Sequence, residues 1–255
     1  AWKEYRIKSF KKYVDQMLCI LPFEVDFYKK HNYPVDYVGN PTVDAIKKRK
    51  QSNQTFDEFI ELNELEDKPI IAILAGSRKQ EIEDNLPFML KAIEVFKSHQ
   101  IIIAGAPGID KNFYDKALYQ KKATLIFDQT YNILSHANVA LVTSGTATLE
   151  TALLNVPQVV CYKTPVPKLI YWAFKNLLHT PYISLVNLIA GKEVVRELFA
   201  KFFTIENIHD ETEKLLFDSE YRQNMLSEYQ GIQKSLGTEN ASDKAAKLIY
   251  NRLSK

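Results

Sequence analysis

The chain has 255 residues, 46% apolar and 25% charged, the balance of an ordinary globular protein with one large domain or two modest ones. Its 33 basic and 31 acidic side chains leave a formal charge of +2, so nothing in the composition calls for nucleic acid or another polyelectrolyte as partner. No apolar run approaches the ~18 residues of a membrane span, and Cys19 and Cys161, far apart in apolar runs, read as buried free thiols of a reducing compartment.

At the N-terminus, Lys3, Arg6, Lys8, Lys11 and Lys12 resemble the charged start of a signal peptide. Only Met17–Leu21 follows as an apolar run, however, and no small-residue cleavage site comes after it. The chain opens at Ala1-Trp2 without an initiator Met, which leads us to expect a fragment of a longer protein. Met17–Leu21 and Val35–Val38 are strand-like, closed by Pro22 and by Gly39-Asn40-Pro41, with a short helix expected over Glu24–Lys30 between them. Residues 42–68 alternate a basic block, Lys47-Lys48-Arg49-Lys50, with an acidic stretch from Asp57 to Asp67. They read as a solvated helical linker with no specific ligand signal.

From Lys68 onward the pattern changes. Ile70–Leu74, Ile101–Ala104, Thr124–Phe127, Val139–Val142 and Gln158–Tyr162 are short apolar runs separated mostly by helix-length segments. Strands apolar on both faces and alternating with helices predict a doubly wound parallel α/β sheet covered on both sides. Asn85, ahead of Leu86-Pro87, is expected to cap a helix, and Thr146 to open one closed by Asn155 and Pro157. Beyond residue 200, Phe202–Phe217, Glu220–Leu236 and Ala241–Leu253 read as a helical tail broken at Gly237.

In open parallel sheets, ligands bind at the C-terminal strand ends. One such end is Ala75-Gly76-Ser77-Arg78, where glycine lets the backbone approach a ligand and Arg78 offers a fork of donors suited to phosphate. Equally, Arg78 could pair with Glu81 in an ordinary strand-to-helix turn. The second end is Thr143-Ser144-Gly145-Thr146, which opens a helix whose free N–H groups and dipole make an anion site. Glu150, one turn later, could reach a ribose hydroxyl pair or lie on a solvated face. The sequence has no G-x-G-x-x-G, no Walker loop, no H-E-x-x-H, no Cys-x-x-Cys and no G-x-S-x-G elbow. No Asp-x-Asp pair suggests a metal bridging a diphosphate, so the reading is a phosphate site without metal or cofactor. Residues 167–178, with Lys168, Tyr171, Trp172 and Lys175, are apolar nearly all round. They suit core or interface packing, or a helix lying on a membrane with those four side chains at the headgroups.

Taken in order, the motifs resemble the lipid-A-disaccharide synthases. The resemblance rests on Ile20-Leu21-Pro22-Phe23-Glu24, Tyr37-Val38-Gly39-Asn40-Pro41, Ala75-Gly76-Ser77-Arg78 with Glu81-Ile82-Glu83, Ser144–Glu150, and Tyr182–Gly191. It covers residues 1 to about 200 and, more loosely, the tail. The chain departs from the usual family pattern at Ala75, Val186 and Lys192.

The resemblance implies an inverting, metal-independent glycosyltransferase of the two-Rossmann-domain, GT-B type. Residues 1–66 would be the end of an N-terminal acceptor domain and the linker, 67–200 the UDP-sugar-binding domain, and 201–255 the helical tail. The implied reaction joins UDP-2,3-diacylglucosamine to 2,3-diacylglucosamine 1-phosphate, giving a β-1,6 disaccharide and UDP in lipid A biosynthesis. The diphosphate would lie on Gly76, Ser77, Arg78, Ser144, Gly145 and Thr146, with Glu150 on the ribose, backbone near Phe127 on the uracil edge, and Asn187 pointing into the cleft. No catalytic base is expected in this chain, which would then be inactive alone. The setting implied is cytoplasmic and peripheral to the inner membrane of a Gram-negative bacterium, with a homodimer as a possible assembly. A UDP-sugar epimerase of the same architecture and a non-catalytic nucleotide-sugar-binding module are the alternatives.

Overall fold

The computed structural model describes residues 4–49, 54–119, 121–167, 171 and 182–254. The chain begins with α1 (Arg6–Tyr13), β1 (Leu18–Cys19), α2 (Pro22–Lys30) and β2 (Asp36–Tyr37). The two short strands pair in parallel, apart from the main sheet, around Ile7, Cys19, Tyr28 and Tyr33. Pro22 starts α2 because its fixed φ suits the first helical position and its missing N–H has no partner to lose there. Cys19 and Cys161 are buried and unbridged.

Helices α3 (Pro41–Arg49) and α4 (Phe56–Leu62) follow. The expectation of a solvated linker is corrected here. Phe59 is fully buried and packs on the sheet, with Phe56 and Ile60 beside it. The acidic count of this stretch hid an apolar stripe at helical spacing. A capping box between Thr55 and Glu58 sets the start of α4.

The main sheet contains β3 (Ile70–Leu74), β4 (Gln100–Gly105), β5 (Thr124–Phe127), β6 (Ala137–Thr143), β7 (Gln158–Tyr162) and β8 (Glu197–Phe199). Every pair is parallel and the spatial order is β5-β4-β3-β6-β7-β8. In order of appearance this is 3-2-1-4-5-6, the doubly wound arrangement with its switch point between β3 and β6. Alternation along the strands feeds two cores: Ile71, Ile73, Val139 and Leu141 face one side, and Ile70, Ala72, Ala140 and Val142 the other. Both sides are covered, as expected for strands without a polar face. β8 carries no signal of its own; its three residues extend because β7 offers an edge.

Among the described residues, the helices between strands are α5 (Lys79–Ile93), α6 (Lys111–Leu118), α7 (Thr130–His136), α8 (Thr146–Leu153) and α9 (Leu185–Ala190). Asn85 does not cap a helix: α5 starts earlier and runs through both Asn85 and Pro87. Pro87 removes one helical hydrogen bond, a cost of ~3 kcal/mol or more in an exposed helix interior. Burial of Ile82, Leu86, Met89, Leu90 and Ile93 along one face of α5 offsets it.

The tail forms α10 (Ile205–Phe217), α11 (Ser219–Leu236) and α12 (Ala241–Leu253). It returns to the start of the chain. Tyr37 Oη donates to Leu236 O at 2.8 Å, Lys47 Nζ to Thr238 O at 2.7 Å, and the Ala241 N–H to Asp44 Oδ2 at 2.8 Å.

Candidate functional site

A cavity of about 680 Å³ opens at the C-terminal ends of β3, β4, β5 and β6, where a doubly wound sheet binds its ligands. Its floor includes Leu74, Ala104 and Thr143.

After β3 the chain turns through Gly76, Ser77 and Arg78, all three lining the cavity. Gly76 has φ +128°, and a Cβ there would meet Glu81 Cβ at 2.6 Å and Oε2 at 2.7 Å. Only glycine allows the Glu81 carboxylate to fold back over the turn. There Glu81 Oε2 accepts the Ser77 N–H at 3.0 Å, and Oε1 takes Arg78 Nη1 at 2.6 Å. The pairing with Glu81 is therefore present, while 78% of the Arg78 side chain remains exposed at the cavity mouth.

After β6, Ser144, Gly145 and Thr146 lead into α8, with Gly145 at its cap. The Thr148 N–H and Oγ1 both turn to Gly145 O. The N–H groups of Thr146 and Ala147, in the first turn, have no acceptor within the helix, and both residues line the cavity. Ser144 Oγ donates to Ile183 O at 2.9 Å, which ties this turn to the entry of α9.

Glu150 lines the cavity one turn into α8, and burial raises its pKa above the usual carboxylate range. Burial, with the Glu150 charge next in size, also raises the Tyr131 phenol, while Arg49 opposes both.

One expected contact is corrected, and another falls to the neighbouring residue. Phe127 does not line the cavity. Its ring covers Gly105, where a Cβ would lie 2.4 Å from it, and meets Tyr114 edge-on at 6.0 Å. Asp128, the next residue, lines the cavity instead, with φ +58°. Asn187 does not point into the cleft. It is fully buried in α9: Nδ2 donates to Val195 O and Glu197 Oε1, and Oδ1 accepts the Val194 and Val195 N–H groups. It acts at one remove: Nδ2 holds the Glu197 carboxylate, which accepts the Ile183 and Ser184 N–H groups at the entry of α9.

Tyr171 packs its ring against Phe199 and Phe202, at 5.9 and 5.3 Å, with Lys201 Nζ over it at 4.3 Å. Lys168, Trp172 and Lys175 lie outside the described residues.

The structure adds residues that the sequence reading missed. Gly105 at the end of β4, Ala106 and Pro107 after it, and Asp128, Thr130 and Tyr131 after β5, line the cavity. Applying the strand-end rule to every strand would have found them. Arg49, from the end of α3, had no local signal.

The family model described as lipid-A-disaccharide synthetase matches residues 1–250. A lipid-A-disaccharide synthase of Coxiella burnetii (strain RSA 331 / Henzerling II) is 35% identical, aligning with 98% of this chain and 66% of its own length. One of Idiomarina loihiensis is 36% identical, over 99% of this chain and 67% of its own. The chain thus spans about two-thirds of the length of the curated relatives it matches. Among solved structures, a Staphylococcus aureus MnaA–UDP co-structure aligns with TM-score 0.58 and 17% identity, over 86% of this chain and 54% of that one. A putative UDP-N-acetylglucosamine 2-epimerase from Listeria monocytogenes gives TM-score 0.58 and 17% identity, over 86% and 53%. At such identities the likeness shows the fold alone.

Proposed function

Because this chain belongs to the lipid-A-disaccharide synthetase family, we propose that its cavity holds the UDP of a sugar-nucleotide donor. The reaction is transfer of 2,3-diacylglucosamine from UDP to the 6-hydroxyl of 2,3-diacylglucosamine 1-phosphate. One observation carries this reading: Arg78, the N-terminus of α8 and Glu150 converge on one cavity at the β3/β6 switch point.

In an inverting transfer, the acceptor oxygen bonds the anomeric carbon as the bond from that carbon to the diphosphate breaks on the opposite face. The electron pair leaves with UDP. Arg78 and the N–H groups of Thr146 and Ala147 meet that growing charge without a metal ion. Arg78 must turn from Glu81 toward the phosphate, at little cost, because an exposed pair is worth only ~0–1 kcal/mol. Glu150 accepts from the ribose hydroxyls. No residue of the cavity is assigned as the base that takes the acceptor proton, and the chain alone is proposed to bind donor without turnover.

Acylated substrates place the reaction at a membrane surface. We assign the protein to the cytoplasmic side of the inner membrane of a Gram-negative bacterium, attached peripherally through residues around Trp172. Among the described residues no helix is long and apolar enough to cross a membrane.

Calorimetric titration of the chain with UDP, with and without EDTA, tests the donor site. Saturable binding unchanged by EDTA is expected; no binding would sink the reading, and binding lost with EDTA would sink the metal-free site. Conversion of UDP-N-acetylglucosamine to its 2-epimer, followed by NMR, would move the protein to the epimerase class.

A further inference from the structure

Arg49 and Arg78 both line the cavity, but in different company. Arg78 stands in the turn after β3, paired with Glu81. Arg49 ends α3, and its guanidinium carbon lies 5.4 Å from the centre of the Tyr131 ring. Its Nη2 donates to Asn132 Oδ1 at 2.8 Å. Tyr131 and Asn132 belong to the first turn of α7, directly after β5, and Tyr131 also feels the charge of Glu150 on α8. Three elements distant in sequence thus bring a cation, an aromatic ring and a carboxylate to one region of the cavity.

This region differs chemically from the other. A phosphate placed beside Glu150 would be repelled by it. A neutral group with donors on one part and acceptors on another suits a carboxylate and a guanidinium together. The ribose and base of a pyrimidine nucleotide are such a group: the sugar hydroxyls donate, and the ring carbonyl oxygens accept. A guanidinium presents a planar fork of N–H donors to carbonyl oxygens, and stacking on an aromatic ring orients that plane.

The rest of α3 supports the placement. Asp44 and Lys47 are bound to the tail through Ala241 and Thr238, so the helix is held from the far side while its last residue reaches the cavity.

We propose that Arg49 reads the nucleobase of the bound nucleotide, its guanidinium donating to the uracil carbonyl oxygens from a position set by Tyr131 and Asn132. This rests on the sugar-nucleotide reading above. It makes the last residue of α3 a determinant of base specificity.

The test is calorimetric titration of the unmodified chain, Arg49→Ala and Arg49→Lys with UDP and with ADP, alongside a thermal melt of each. ADP shares the ribose and diphosphate and differs only in the base. Arg49→Ala is expected to weaken UDP by roughly ten- to hundredfold, the loss of a hydrogen bond from a charged donor. ADP should change little, so the preference for UDP narrows, with an unaltered melting temperature. Arg49→Lys should lose most of the same preference, because an ammonium keeps the charge but not the fork. UDP affinity unchanged in both variants would overturn the proposal. Equal weakening of UDP and ADP would overturn it too, by showing a general cation for phosphate. If the unmodified chain fails to bind UDP, the sugar-nucleotide reading itself falls, before Arg49 is in question.

Discussion

Asn85 Nδ2 donates to Thr143 Oγ1 at 3.2 Å, a bond between the middle of α5 and the end of β6, with both residues buried. The same nitrogen reaches Ala75 O at 3.3 Å, and Asn85 Oδ1 accepts the Lys163 N–H at 2.8 Å. One side chain therefore ties the exits of β3, β6 and β7, two of which lead into the proposed phosphate-binding turns. Asn85→Ala should destabilise the chain by ~1–3 kcal/mol, since it leaves buried groups unpaired. Urea denaturation measures this. Combined with Thr143→Val, the two losses should be less than additive, with a coupling of about 0.5 kcal/mol or more. Strict additivity would show that the Asn85–Thr143 bond contributes nothing of its own.

Arg78→Ala should separate binding from stability. If the guanidinium reaches phosphate, UDP affinity falls by ~1.5–3 kcal/mol. The melting temperature should hardly move, because the exposed pair with Glu81 contributes ~1 kcal/mol at most. Undiminished UDP binding by calorimetry would leave Arg78 with only its Glu81 partner.

Glu150 predicts opposite effects on stability and binding. Burial raises its folded-state pKa above the unfolded value. The folded state therefore holds the proton more tightly, and this contribution, complete below the unfolded pKa, is lost as pH rises through the folded one. Glu150→Gln is neutral throughout. It should melt higher than the native chain at about pH 8, and the gap should close near about pH 4. At the higher pH it should also bind UDP more weakly, because a neutral amide oxygen replaces the charged carboxylate as acceptor for the ribose. A melting difference independent of pH would count against a strained carboxylate.

At Gly76, alanine would need a positive φ and would press on Glu81. Gly76→Ala should cost ~1–3 kcal/mol in stability and displace the Ser77–Arg78 turn. UDP affinity should fall with it; a variant as stable as the native chain would show that the turn yields freely.

The membrane reading separates two neighbouring aromatics. Tyr171 packs against Phe199 and Phe202, so Tyr171→Ser should lower the melting temperature. Trp172→Ser is expected to reduce co-sedimentation with anionic vesicles and leave the melt nearly unchanged. Unaltered vesicle binding would remove Trp172 from the attachment surface.

How much of this was legible in the sequence depended on how local the signal was. The five long strands, the parallel sheet and the start of α8 follow from apolar runs and capping chemistry within a few residues. The turns at Gly76 and Gly145 were legible because ligand sites of doubly wound sheets recur at strand ends. In the charged stretch 42–68 the acidic composition masks the spacing of Phe56, Phe59 and Ile60, which marks a buried face. Asn85 looked like a cap because Pro87 follows it, yet the apolar face of α5 carried the helix through both. Asn187 had a motif but not its role; four hydrogen bonds turn it inward. Arg49 is the clearest case of what tertiary structure alone decides. Eighty-two positions separate it from Tyr131 in the numbering, and no pattern along the chain links them. They meet because α3, clasped by the tail, packs beside α8, and a contact between distant segments is settled by the packing of whole elements.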